Sequence, residues 1–159
     1  MKVLSKEEAA TWCEAHRIGR GLPERFDADL EFKIPVDAGK RVAMVGRAMK
    51  PFEDEPLFLV LFSEWSVWRS GERMHVFDRF RMSYGETRRL IEAPGHVFNQ
   101  TEIEDAISFV TIAVLFLWNC HVVTPERRKV LYFSHDEWGF AKGVEFEFEG
   151  VQKARRVKH

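Results

Sequence analysis

Residues that could carry out acid–base or metal chemistry are concentrated between positions 116 and 139. Cys120 and His121 follow an apolar segment, and His135, Asp136 and Glu137 come about one hairpin later. Thiolates and imidazoles bind zinc, while imidazoles and carboxylates transfer protons near neutral pH. The spacing matches none of the usual zinc patterns, because the candidate ligands come as directly adjacent residues. The stretch is therefore either a reactive site or the polar edge of a buried core.

The same stretch is predicted to form a β-hairpin, which separates the candidate ligands. Residues 124–128 contain a proline and form the predicted turn, and pairing Val123 with Lys129 sets the register. Because successive side chains on a strand point to opposite faces, Cys120 and His121 are expected to point apart. The same alternation is expected to separate the His-Asp pair at the far end of the hairpin. We therefore predict no metal site and no cofactor.

Four residues remain candidates for acid–base catalysis, namely His135, Asp136, Glu137 and His96. Functional side chains often lie where a rigid strand enters a loop, which favours the first three. The alternative is a polar exit from an apolar strand, in which Asp136 binds backbone amides of the turn. His96 follows a Pro-Gly pair in a predicted loop, where it either lines a cleft or anchors the loop. A nucleophilic role for Cys120 is disfavoured, because burial raises the pKa of a thiol.

Tryptophan and arginine residues near a predicted helix indicate a surface for a partner protein. The candidates are Trp65, Trp68, Arg69, Arg73 and Trp138. Buried tryptophan and arginine side chains carry much of the binding energy at protein interfaces. The alternative is that the tryptophans form the edge of the core, with their indole N–H groups satisfied. An acidic loop at residues 53–55 offers a second surface of opposite sign.

The composition limits the classes of partner. The chain has 159 residues and a formal net charge of −1, so the broad basic footprint of a nucleic-acid-binding protein is missing. Two basic patches, at residues 127–129 and 153–159, are expected to be a solvated turn and a frayed tail. The longest apolar run, residues 106–118, is shorter than the roughly 20 residues of a membrane span. Two isolated cysteines and an N-terminus without an apolar stretch favour a reducing, cytoplasmic location.

Hydrophobic periodicity predicts the secondary-structure elements. A capping box at Ser5 and Glu8 predicts a first helix, and a second box at Thr101 and Glu104 predicts a long helix that is apolar on nearly all sides. The other predicted elements are a hairpin of residues 30–36 and 41–46 with its turn at 37–40, a central strand at 57–62, a helix at 71–84 and an edge strand at 144–148.

These elements predict a single α+β domain spanning residues 1–159. Its sheet is expected to be mostly antiparallel, with about five or six strands, because the strands come in pairs with helices between them. The sheet is expected to pack against a long buried helix and two shorter amphipathic helices. No linker or repeat divides the chain.

Two functional hypotheses follow from these features. The first is a non-catalytic protein-binding or adaptor domain in a cytosolic protein of bacterial type, with an immunity-like or antitoxin-like inhibitor as one form. Its partner would be another protein or a second copy of this chain. Binding to nucleic acid or to a membrane is not expected. The alternative is a small hydrolase-like enzyme that uses His135, Asp136 or Glu137 as an acid or base. Convergence of these residues with His96 in one concave pocket would favour the enzyme.

Overall fold

The computed structural model describes residues 1–19, 28–65 and 74–154. Within these ranges the chain forms four α-helices and eight β-strands. In chain order they are β1 (Lys2–Leu4), α1 (Lys6–Ala15), β2 (Leu30–Lys33), α2 (Ala38–Met49), β3 (Leu57–Glu64), α3 (Met74–Met82), β4 (Gly95–Asn99), α4 (Ile103–Leu115), β5 (Asn119–Val123), β6 (Val130–Phe133), β7 (Trp138–Lys142) and β8 (Val151–Lys153).

All eight strands join one antiparallel sheet in the order β1-β4-β3-β5-β6-β7-β2-β8. The predicted α+β class is confirmed, but the sheet is larger than the five or six strands expected. The extra strands include β1, which has three residues, and β4, which starts at Gly95 and was predicted to be a loop. Short strands next to glycine carry little periodicity, so the pairing partner establishes them more than their own sequence does.

Alternation along the strands divides the core into two layers. Phe58, Val60 and Phe62 of β3 point to the face covered by α2, α3 and α4. Leu59 points to the other face, where it packs with side chains of α1 such as Cys13. The apolar residues of β3 are therefore buried on both faces of the sheet. This confirms the central strand that was predicted from them.

The helix α4 is the predicted long apolar helix. Its buried residues are Ala106, Phe109, Val110, Ala113 and Val114, and the remaining apolar side chains are half-buried. Its start differs from the prediction, because the capping box is formed by Asn99 and Glu102 around a short 3-10 turn. The Asn99 side chain accepts a hydrogen bond from the Thr101 amide at 2.9 Å, and Glu102 accepts from the Asn99 amide at 3.0 Å.

The second half of the predicted N-terminal hairpin is wrong, since residues 38–49 form the helix α2. Asp37 caps this helix by accepting a hydrogen bond from the Lys40 amide at 2.7 Å, and Gly39 lies inside it instead of forming a turn. The buried positions are Arg41, Met44, Val45, Ala48 and Met49, which follow helical spacing. The strand prediction relied on alternation from residue 41 to residue 46, and it treated the buried Arg41 as a solvent position.

Two further predictions change near the C-terminus. Residues 144–148 form no strand, and the edge strand is β8, which pairs with β2. Lys153, the first residue of the predicted frayed tail, is the last residue of β8, while residues 155–159 lie outside the described ranges. The predicted helix at residues 71–84 corresponds to α3, and Gly85 after it has φ +79°, as a helix C-terminus favours.

None of the helices in the described ranges has the length and apolar character that a membrane span requires.

Candidate functional site

Polar side chains from three neighbouring segments meet at the C-terminal end of β3. Glu64 is the last residue of β3, and Asn119 pairs with it at the start of β5. The turn between β6 and β7 supplies His135 and Asp136 from the next position in the sheet. We call these four residues the β3-end cluster.

Hydrogen bonds around Asn119 fix the histidine of the cluster. The Asn119 Oδ1 atom accepts from the His135 backbone N–H at 2.6 Å and lies 2.9 Å from the His135 Nδ1 atom. The Asn119 Nδ2 group donates to the Glu64 Oε2 atom at 2.5 Å. Because an amide oxygen only accepts, the Nδ1 atom of His135 must carry a hydrogen in this arrangement.

Carboxylates flank both ring nitrogens of His135. The Glu64 Oε2 atom lies 3.2 Å from Nδ1, and the Asp136 Oδ1 atom lies 3.3 Å from Nε2. The side chains of Glu64 and Asp136 are 53% and 59% exposed, so water screens much of their charge. When His135 is protonated, the cluster contains one cation between two anions.

The close approach of His135 to Asp136 corrects the expectation that these side chains point apart. Strand alternation does not apply to them, because β6 ends at Phe133 and both residues lie in the turn that follows. The turn is closed by the Glu137 amide, which donates to the Ser134 carbonyl at 3.2 Å. The Asp136 amide donates to the Ser134 hydroxyl at 3.2 Å, so the side chain that binds a backbone amide in this turn is Ser134, where the prediction named Asp136.

Cys120 and His121 do point to opposite faces, as alternation predicts. Cys120 lies in the helix-covered core, where burial raises the pKa of its thiol. His121 stacks on Tyr132 with a ring-centroid distance of 4.4 Å. The predicted register is wrong by one residue, because Val123 pairs with Val130. The turn between β5 and β6 includes two residues with positive φ, Glu126 and Arg127, and is longer than the simple turn that was assumed.

Glu137 is bound to a buried arginine that the sequence did not identify. Its Oε1 atom accepts from the Arg41 Nη2 group at 2.8 Å. The same guanidinium donates to the Pro35 carbonyl at 2.6 Å and to the Val114 carbonyl, near the C-terminus of α4, at 3.2 Å. Arg41 thus links α2, α4 and the β6–β7 turn. The sequence does contain a signal for this role, because Arg41 occupies an inward-facing position in the helical pattern of α2.

His96 lies in β4 and is fully buried, so the predicted loop that would line a cleft is not formed. It pairs with Val60 of β3, four residues before Glu64, which corresponds to roughly 13 Å along a strand. Its imidazole is surrounded by aromatic rings, and neither ring nitrogen has a hydrogen bond of regular geometry. The structure therefore does not bring His96 together with His135.

The described partner-surface candidates lie on opposite faces of the sheet. Trp65 is half-buried and packs against the helix-covered core, whereas Trp138 packs with Tyr132 and Phe140 on the other face. One flat patch cannot include both tryptophans. The remaining candidates, Trp68, Arg69 and Arg73, lie outside the described residues.

At the opposite end of β3, the acidic loop and the basic turn form one ion-pair group. Glu55 is buried, and its Oε2 and Oε1 atoms lie 2.9 and 2.8 Å from the Arg128 guanidinium and the Lys129 ammonium group. We call these three residues the Glu55 cluster. One residue of the acidic loop, Glu55, is therefore paired with two residues of the basic turn, which were expected to be separate solvated patches, while Glu53 and Asp54 remain exposed.

The catalytic candidates lie outside the main cleft of the described residues and form no metal site. A cleft of about 680 Å³ opens beside β2 and β8, and its lining includes Asp29, Glu145 and Lys153 but none of the four catalytic candidates. Across the described ranges, no three His, Cys, Asp or Glu side chains are arranged to hold a metal ion.

No protein-family model, curated protein or solved structure matches this chain.

Proposed function

We propose that this chain is a non-catalytic protein-binding domain. Its contact surface is formed by Trp65 and by the solvent side of α3, which we define as His75, Val76, Arg79 and Met82 and call the α3 outer face. The partner is another protein that presents apolar side chains together with carboxylates, because the exposed charge at the centre of this face is an arginine. An inhibitor of the immunity or antitoxin type is one form that such a domain takes.

The observation that carries the proposal is the exposure of two large apolar side chains on α3. Val76 is 44% exposed and Met82 is 58% exposed, and both lie on the side of the helix that faces away from the core. Arg79 lies between them at three-residue spacing, which places the three side chains in one stripe. Methionine and arginine are enriched at protein interfaces, whereas most exposed helix positions are polar.

The contacts of the acid–base candidates support a binding role over a catalytic one. Glu137 is held by Arg41, and His135 is held by Asn119, so both side chains connect segments of the fold. Catalysis also needs groups that converge on a substrate, and His96 is enclosed in the core elsewhere.

Site-specific photocrosslinking tests the proposed surface. A photoreactive residue at position 82 should crosslink one protein from a native lysate, and the same residue at position 36 should not. Val36 is the matched control, because it is an exposed apolar residue (82%) outside α3. The double variant Val76→Lys and Met82→Glu should lose capture of that protein, while Val36→Glu should retain it. Equal capture by all variants would contradict the proposal.

The hydrolase-like alternative is favoured by one observation, the placement of carboxylates beside both nitrogens of His135. A carboxylate beside an imidazole is the usual means of orienting a catalytic base. Of the nearby hydroxyl and thiol groups, Ser134 and Cys120 are buried, whereas Ser63, which precedes Glu64 in β3, is exposed. A screen with ester, amide and phosphoester substrates tests this role. Activity that His135→Ala removes and the double α3 variant retains would establish the enzyme instead of the binding domain.

A further inference from the structure

The helix α3 is attached to the core by few side chains. Of its nine residues, only Phe77 and Arg81 are buried, while the α3 outer face is exposed. Phe77 contacts the rings of Phe62 and Phe109 at centroid distances of 5.1 and 4.9 Å. The Arg81 guanidinium lies over the Phe77 ring at 5.9 Å. Two further α3 side chains, Met74 and Phe80, pack against the core while half-buried, and the Phe80 ring lies 4.7 Å from the Phe109 ring. The interface under α3 therefore has one buried aromatic ring and one buried cation at its centre and two half-buried side chains around them.

The imidazole of His96 forms part of the floor beneath α3. Its ring lies 5.7 Å from Phe77, 5.3 Å from Phe62 and 5.1 Å from Phe109. Neither nitrogen has a hydrogen bond of regular geometry, although the backbone of Pro94 and Val60 lies close enough to interact with the ring. Arg81 is only partly satisfied, because Nη2 donates to the Ala93 carbonyl at 2.8 Å while Nε and Nη1 have no hydrogen bond, although Nη1 lies 3.7 Å from the Asp78 carboxylate. Buried polar groups without partners destabilise the closed arrangement, since water would satisfy them.

Charge on His96 is not fully compensated where the ring lies. Arg81 opposes protonation of the ring, whereas the backbone of Pro94 and Val60, and then Glu86, favour it less strongly than burial opposes it. Glu86 is already paired with Arg88 at 2.7 Å. The rings that contact His96 from β3, α3 and α4 are phenylalanines, which carry no charge. A protonated His96 would therefore be a second buried cation beside Arg81.

We propose that α3 is an acid-released cover, which leaves the sheet when His96 becomes protonated. Release hydrates His96 and Arg81 and exposes the aromatic socket that Phe77 occupies. The release is local, because β4 is hydrogen-bonded to β1 on one side and to β3 on the other and keeps these bonds when α3 departs.

The direction of the pH dependence follows from the two states of His96. In the closed state, burial and then Arg81 lower the pKa of His96 to about 3, from an ordinary value of 6.5. In the released state the ring is hydrated and takes up a proton below about pH 6.5. The opening equilibrium is thus constant above about pH 6.5 and rises roughly tenfold for each pH unit below it, until the closed state also protonates near pH 3.

Hydrogen exchange on the chain alone tests this proposal without the proposed partner. Amides of residues 74–82 should lose protection about tenfold per pH unit between pH 6 and pH 4, after correction for intrinsic exchange, while amides of β3 and β4 keep theirs. Uniform loss in α3 and the sheet would show global unfolding and overturn the proposal. Protection of α3 that does not change with pH would overturn it as well.

Two variants assign the effect to His96. His96→Phe should remove the pH dependence in α3, and His96→Leu serves the same purpose if the larger ring does not fit. His16→Gln is the matched control, because His16 caps the C-terminus of α1 at the other face of the sheet, and it should keep the full dependence. Persistence of the tenfold slope in a folded His96 variant would overturn the proposal.

Discussion

The two polar clusters at the ends of β3 differ in burial and in charge balance. In the Glu55 cluster, one carboxylate that is 4% exposed contacts two cations at 2.8 and 2.9 Å. In the β3-end cluster, two carboxylates that are more than half exposed flank one imidazole. Both clusters connect β3 to turns of the β5–β6–β7 meander, so they occupy comparable positions in the sheet.

The difference shows how burial determines the role of a charge. A carboxylate removed from water is tolerated only when cations or hydrogen bonds compensate it, and Glu55 has two such cations. Exposed carboxylates need no such partner, and Glu64 and Asp136 can therefore remain close together around His135. We expect the Glu55 cluster to contribute to stability and the β3-end cluster to contribute little. Two substitutions test this contrast directly, and a third tests a buried cation, Arg41, beside the β6–β7 turn.

The largest effect is expected for Glu55→Gln. The substitution leaves the Lys129 ammonium group, which is partly buried, without its anion, so the free energy of unfolding should fall by about 3 kcal/mol. Urea denaturation monitored by tryptophan fluorescence measures this change. Glu53→Gln, an exposed neighbour, should change stability by less than about 0.5 kcal/mol. Equal values for the two variants would remove the contrast between the clusters.

A smaller loss is expected for Arg41→Met beside the β6–β7 turn. The methionine fills a similar volume, but the Pro35 and Val114 carbonyls lose their donor, while Glu137 is half-exposed and can be hydrated. Stability should fall by about 2 kcal/mol in urea denaturation. Arg47→Met, on the exposed side of the same helix, should cost well under about 1 kcal/mol. A loss below that of Arg47→Met would show that Arg41 is dispensable.

The smallest effect is expected for Glu64→Gln in the β3-end cluster. The substitution removes one of two exposed carboxylates beside His135, so the change should be about 0.5 kcal/mol or less. A double-mutant cycle with His135→Ala should give a coupling energy below about 1 kcal/mol. A coupling energy of 2 kcal/mol or more would mean that this cluster is as structurally important as the Glu55 cluster.

The sequence was sufficient for elements with long and simple patterns. The doubly buried β3, the apolar α4 and the capping box of α1 were predicted because burial and capping leave marks within a few residues. The helix α2 was missed because Val42, Met44 and Gly46 fit strand alternation over a short window. Its buried face is recognised only when Arg41 is counted as an inward-facing residue.

The candidate site could be predicted only in part, because it depends on pairing between distant segments. His135 and Asp136 were identified as candidates, but their contact with Glu64 and Asn119 requires β3, β5 and β6 to lie side by side. His96 was assigned to a loop since a Pro-Gly pair precedes it. Its burial follows from the pairing of β4 with both β1 and β3. This pairing cannot be predicted from the residues next to His96.

The strand order has a consequence for the way the chain folds. β2 pairs with β7 and β8, so residues near position 30 can form their strand pairs only with residues from position 138 onwards. β1 likewise pairs with β4, more than ninety positions later. Contacts of such long sequence separation slow folding, because the intervening chain must be ordered before they form. During synthesis, β2 therefore lacks its pairing partners until residues 138–153 have left the ribosome, and until then its unpaired backbone groups are open to aggregation.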